Sequence, residues 1–82
     1  MPESEMARRI IELVGGSENV VRVTHCYSRL RFTLRDDGHA DDAQLRTLPG
    51  VVIVMHQSGQ LQVALGSGVG RVFDAVQEGL VT

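Results

Sequence analysis

The chain has 82 residues, a formal net charge of −2 and 43% hydrophobic residues, values of one ordinary globular domain and not of a disordered or fibrous segment. Its eight arginines are dispersed among ten acids and lysine is absent, so it lacks the basic stripe of a general nucleic-acid binder. A single cysteine excludes an internal disulfide and a multi-cysteine zinc site, and it fits a reducing, cytosolic compartment.

The start, Met1-Pro2-Glu3-Ser4-Glu5, is acidic and lacks the basic-then-apolar layout of a signal peptide. Ser4 to Val14 then reads as a first helix. Ser4 is placed to cap it, Glu3 and Glu5 sit near its positive end, and Ile10, Ile11 and Val14 form an apolar stripe with Met6 or Ala7. Gly15-Gly16 ends it, because glycine takes the left-handed conformation that helix ends require. Val20 to Cys26 is rich in β-branched residues and reads as a strand. In Arg29 to Arg35, Leu30, Phe32 and Leu34 alternate with Arg29, Arg31, Thr33 and Arg35, the pattern of a strand with one core face. These two strands are close enough for a hairpin with Cys26-Tyr27-Ser28 at its tip.

Asp36-Asp37-Gly38-His39 is turn chemistry. Asp41 or Asp42 caps a short helix through Leu45 and Leu48, ended by Pro49-Gly50. Val51 to Gln57 and Gln60 to Leu65 form a second hairpin turned by Ser58-Gly59. Val51-Val52-Ile53-Val54-Met55, the longest apolar run, is far too short to cross a bilayer. Gly66-Ser67-Gly68 opens a last helix, Val69 to Leu80, whose buried stripe is Val69, Val72, Phe73 and Val76. The order predicts an α+β sandwich: a four-stranded antiparallel sheet with three helices on one face, α-β-β-α-β-β-α.

Chemistry concentrates at His25-Cys26-Tyr27-Ser28-Arg29-Leu30-Arg31. A lone cysteine is more often a small buried hydrophobe than a reagent. Here it closes a strand beside a polar turn. Alternation places Cys26 on a face with Thr24 and Arg22, and puts Val21 and Val23 on the opposite, core face. Cys26 is therefore expected to point toward solvent or a partner. Thiolates are stabilised by arginines and by turn amides. Arg29 and Arg31 share a face, with Arg31 further from the tip, and Ser28 adds a hydroxyl donor. These groups together could hold a phosphoryl group on sulfur. Their bland alternative is a solvated polar strand face. Alternation turns His25 away from Cys26, so it is read as structural support. His39 and His56 lack ligand-like spacing and are read as ordinary surface or half-buried residues; no metal site is expected. Gly66-Ser67-Gly68-Val69-Gly70 lacks the strand–helix–strand context of a nucleotide fingerprint, and no cofactor is expected.

The chain resembles the IIB domains of the glucose–sucrose superfamily of the bacterial sugar phosphotransferase system. The likeness runs from Ile10-Ile11-Glu12-Leu13-Val14-Gly15-Gly16 and Asn19-Val20, through Val23-Thr24-His25-Cys26 and Arg29-Leu30-Arg31-Phe32, to Leu48-Pro49-Gly50-Val51, Gln62-Val63 and Gly66 through Val72. The family signature is Cys, any residue, Thr, Arg, Leu, Arg, and the His-Cys pair and Arg-Phe continuation look most like the β-glucoside and sucrose branch. The resemblance implies a phosphotransferase component in which Cys26 takes a phosphoryl group from phosphohistidine on a IIA partner. Cys26 then passes it to a sugar bound in the membrane transporter IIC. It implies Tyr27, Ser28, Arg29 and Arg31 around the phosphate and Thr24 and His25 in support of the turn. Arg29 and Arg31 are expected to act more at delivery. Ser28 stands where threonine is usual, and Tyr27 puts a large ring where small or aliphatic residues are more common.

On this view residues 1–82 form a single IIB domain, free-standing or cut from a longer IIB–IIC protein. It would work at the cytoplasmic side of the membrane through IIC, with a regulatory protein allowed as a further partner and no nucleic acid. A cysteine-dependent phosphatase fits less well, because its Cys-x5-Arg loop would need arginine where Phe32 stands. The non-catalytic alternative is a degenerate or regulatory interaction module with an unreactive cysteine.

Overall fold

In the computed structural model, which describes residues 1–81, helix α1 spans Glu3–Leu13 and buries Met6, Ala7, Ile10 and Leu13. The helix begins one residue before the expected cap. Pro2 occupies the N-cap with no side-chain capping bond, so Ser4 lies inside the first turn and does not cap. Proline's fixed φ suits this entry, and Glu3 and Glu5 still face the positive end of the helix. Gly15 and Gly16 reverse the chain, their amides returning to the carbonyls of Glu12 and Ile11. Gly15 has φ +110°, and a Cβ there would come within 2.6 Å of the Asn19 amide nitrogen. That crowding arises because Asn19, in a 3₁₀ turn over Ser17–Asn19, is buried as a tie-piece. Its Nδ2 donates to the carbonyls of Val14 and Asp36, and its Oδ1 accepts from the Asp36 amide.

Strands β1 (Val20–His25), β2 (Arg29–Leu34), β3 (Val51–Gln57) and β4 (Gln60–Leu65) make one antiparallel sheet in the order β1-β2-β4-β3. A 3₁₀ turn over Asp37–His39 and a single helical turn, α2 (Asp42–Leu45), carry the chain from β2 to the far edge. Asp41 caps α2, its Oδ1 accepting from the Gln44 amide at 3.1 Å. Ser58 and Gly59 both take positive φ, as the tight turn between β3 and β4 requires. Helix α3 (Val69–Val81) buries Val69, Val72 and Val76, with Phe73 partly buried against the same core. It packs beside α1 closely enough that a Cβ on Gly79 would meet the Ile11 Cδ1 at 2.8 Å.

Leu30, Phe32, Leu61 and Val63 are fully buried on the face covered by helices. Burial of side chains of this size contributes about 1.5–3 kcal/mol each. The opposite face carries no helix, and the strand pairing lays out its side chains in rows. Cys26 and Arg29 lead to Ala64 and Ile53; Thr24 and Arg31 to Gln62 and Met55; Arg22 and Thr33 to Gln60 and Gln57.

One expectation about this pattern fails. Val21 does not share the core face with Val23 but is 53% exposed. The register slips between Val20 and Arg22, so Val21 is an extra residue in a bulge and Val20 takes the core position. A matching slip in β3 leaves Val52 exposed and lets Val51 pack inward.

Candidate functional site: an activated thiol at the hairpin tip

His25 and Leu30 form the last paired rung of the first hairpin. Beyond it, the Cys26 amide donates to the Arg29 carbonyl at 3.0 Å and closes the turn. The Ser28 carbonyl accepts from the Leu65 amide at 2.8 Å, anchoring the tip to the end of β4. With the turn tied on both sides, the amides of Ser28 and Arg29 are directed at the Cys26 sulfur. The Arg31 guanidinium favours the charged form of the same sulfur. Arg31 is the largest influence, the Ser28 and Arg29 amides follow, and slight desolvation opposes them; the thiol falls from 9.0 to about 7. A much larger share of the sulfur is then thiolate at neutral pH than for an ordinary cysteine, and it remains partly accessible to solvent.

The two arginines are held differently. Arg29 is nearer in sequence, yet its Nη1 donates to Gln62 Oε1 at 2.9 Å and approaches the Met55 sulfur at 3.4 Å. Arg31 Nη1 donates to Gln60 Oε1 at 3.2 Å while its guanidinium also serves the thiolate. Arg31 sits one rung down the strand, and its long side chain spans that rung. Gln62 is buried although it lies on the face without helices, because Arg29 and Met55 cover it. Sequence reading missed Met55, Gln60 and Gln62. Their only trace was a glutamine alternating with apolar residues in Gln60-Leu61-Gln62-Val63, which by itself indicates a polar strand face.

The remaining candidates divide between the two faces. Thr24 is exposed and sits opposite Arg31. Ser28 is half-buried at the tip, its hydroxyl engaged by no group among the described residues. Tyr27 is 97% exposed. His25 turns toward the helices, its ring 4.5 Å from that of Phe73, and its Nδ1 lies 3.0 Å from the Cys26 carbonyl. It is therefore placed to steady the turn backbone and does not reach the sulfur. His56 pairs with Asp42 Oδ2 at 2.8 Å, linking β3 to α2. Among the described residues no group of three or more His, Cys, Asp or Glu could hold a metal ion.

A cleft of about 350 Å³ adjoins the tip, bounded by Tyr27, Ser28 and the glycine-rich segment 65–70 that leads into α3. A larger hollow of about 460 Å³ lies between α1 and α3 and contains no residue of the cysteine turn.

An open-faced α+β sandwich presenting one activated thiolate at a hairpin tip defines a narrow class of domain. The family model for the phosphotransferase system EIIB matches residues 8–41. A solved domain of a phosphotransferase IIabc component from Clostridium difficile superposes with a TM-score of 0.86 at 31% identity, covering 93% of this chain and 80% of that one. The β-glucoside-specific EIIBCA component of Halalkalibacterium halodurans is 45% identical over 78 residues, 95% of this chain and 12% of the relative. The sucrose-specific EIIBC component of Bacillus subtilis is 45% identical over 76 residues, 92% of this chain and 16% of the relative. This chain belongs to the EIIB family of the phosphotransferase system, with relatives in the β-glucoside and sucrose branch. It spans less than a fifth of the length of those curated relatives.

Proposed function

We propose that this chain is the phosphoryl-carrier domain of a sugar phosphotransferase system, with Cys26 as the carrier atom's residue. The observation that carries this reading is the thiolate cradle: two turn amides and one guanidinium converging on an accessible sulfur. In loading, the sulfur attacks the phosphorus of a phosphohistidine on a IIA partner. The S–P bond forms and the N–P bond breaks; because the donor imidazole carries a proton on its other ring nitrogen, it departs neutral. In delivery, a sugar hydroxyl held by IIC attacks the same phosphorus. The S–P bond breaks, Cys26 leaves as thiolate, and the hydroxyl proton passes to a base on the acceptor side.

A thiol near 7 serves both halves, since it is ionised enough to attack and weakly basic enough to leave. Phosphoryl transfer depends mainly on positioning and charge stabilisation. Arg29 and Arg31 supply charge around the moving phosphoryl group, with their larger effect at delivery, and Arg31 also supports the thiolate before loading. Ser28 donates its hydroxyl, Tyr27 lines the approach, and Thr24 and His25 hold the turn. The B, C and A letters in the relatives' names support the assignment of IIA and IIC partners. Residues 1–82 act as one EIIB domain, alone or within a longer B–C protein, at the cytoplasmic side of the membrane. A regulatory protein is a further partner of the same kind of surface. Among the described residues, no helix is long and apolar enough to cross a membrane.

The test is intact mass after incubation with phosphoenolpyruvate, the general phosphotransferase proteins and a IIA domain from a β-glucoside relative. One phosphoryl group should be added, and none without IIA. No addition with several active IIA domains would remove the carrier reading.

A further inference from the structure

The charges of this chain are sorted by element. All ten acids lie in helices, turns and loops, and the four strands hold none. The strands instead hold Arg22, Arg29 and Arg31, all three on the face that no helix covers. Glu18, Asp36 and Asp37 flank the first hairpin at the end opposite Cys26. A protein of net charge −2 thus presents a cationic, acid-free face around its reactive thiol, with its negative charge behind. Exposed Val52 and Ile53 lie toward the β3 side of the same face. Arg29 and Arg31 are engaged by Gln62, Gln60 and the sulfur. Arg22 is exposed and has no hydrogen bond or ion pair among the described residues. It contributes nothing visible to the fold and stands two rows from the cysteine.

We infer that Arg22, on the helix-free sheet face two rows from Cys26, is a steering residue for the encounter with an acidic face of the phosphohistidine donor domain. This deepens the carrier reading and rests on it. Before loading, the face carries three guanidiniums against a single thiolate and attracts a donor that brings its own anionic phosphoryl group. After transfer the phosphoryl group sits on Cys26 and offsets most of that charge through Arg29 and Arg31. Attraction is therefore strongest for the empty carrier and weakens once the cargo has moved, which favours release of the spent donor. The sugar acceptor brings no such charge, since a hydroxyl is neutral. Steering of this kind acts on association rate and fades with salt.

The experiment compares Arg22→Glu with Arg8→Glu, an equal charge change at an exposed position on α1. Loading is timed at limiting phosphorylated IIA domain, from about 0.02 M to about 0.5 M salt, a range over which the screening length falls from tens of ångströms to a few. The Arg22 variant should load about five- to tenfold more slowly at low salt and converge on the parent at high salt. The Arg8 variant should stay within about twofold, and both should keep the parent's rate of thiol alkylation by iodoacetamide. Equal slowing of both variants would overturn a local docking face. Slowing only of delivery to transporter-containing vesicles would move the surface to the acceptor and overturn the donor assignment. Failure of the parent itself to load would overturn the carrier reading, and the docking inference with it.

Discussion

The two faces of the sheet obey opposite rules. Beneath the helices, Leu30, Phe32, Leu61 and Val63 are fully buried in an apolar core, with the His25 ring against Phe73 at its margin. On the other side, Arg22, Arg29 and Arg31 meet glutamine, threonine and a thiol, with a few exposed apolar residues at the edge. Strand alternation makes the two faces inseparable in sequence, since neighbouring residues of β2 point in turn to the core and to the open face. A small domain can therefore place a reactive group on a rigid backbone without weakening its core. Leu30, between Arg29 and Arg31, is fully buried among the helices, and the turn beyond it is tied by the Cys26–Arg29 and Leu65–Ser28 backbone bonds.

That separation can be broken from either side. The largest effect should come from Cys26→Ser, which should abolish phosphoryl acceptance while shifting urea unfolding by no more than about 0.5 kcal/mol. The mirror experiment is Phe32→Ala. It should cost about 3–5 kcal/mol, a large share of the roughly 4–12 kcal/mol available to a domain of this size, and should appear as a lower urea midpoint. Wherever that variant remains folded, its thiol pKa should match the parent's.

Next in size is Arg31→Ala. Removing the strongest influence on the sulfur should raise the thiol from about 7 back toward 9.0, and slow alkylation at pH 7 by about five- to tenfold, because fewer thiolates outweigh the higher nucleophilicity of each. Arg29→Ala should move the thiol less. It should instead cost about 1 kcal/mol by stripping Gln62 of its donor, read by urea unfolding.

The smallest effect concerns pH. A thiol depressed by folding favours the folded state above its unfolded pKa, and this contribution is lost as pH falls through about 7. The stability of the parent relative to Cys26→Ser should therefore rise between pH 7 and pH 9; a flat difference would show that the cradle does not act on the thiolate in solution.

Much of this arrangement was legible in the chain. Alternation in Arg29 to Arg35 identified β2 and its core face, and Ser58-Gly59 identified the second turn, because both signals are local. The fold class followed from the order of elements. Val21 and Val52 were not legible, since a bulge is defined by a partner strand's register and both valines suit either face. The cap of α1 was misplaced because Pro2 enters the helix as readily as Ser4 caps one. At the site, Cys26 and its arginines stood out from their neighbours. Which arginine reaches the sulfur did not, since that depends on Gln62 and Met55 drawing Arg29 across the sheet. The charge sorting lay in the sequence throughout, but it became a surface only when the strands were paired.

The most direct test of the central claim is to locate the phosphoryl group by tandem mass spectrometry of the loaded domain under conditions that preserve both phosphocysteine and phosphohistidine. The chain offers three histidines and one tyrosine as competing acceptors, and His25 and Tyr27 adjoin the cysteine. The account predicts fragments carrying the added mass on Cys26 alone. A phosphoryl group on His25, Tyr27 or any other residue, with Cys26 still free to alkylate, would contradict it.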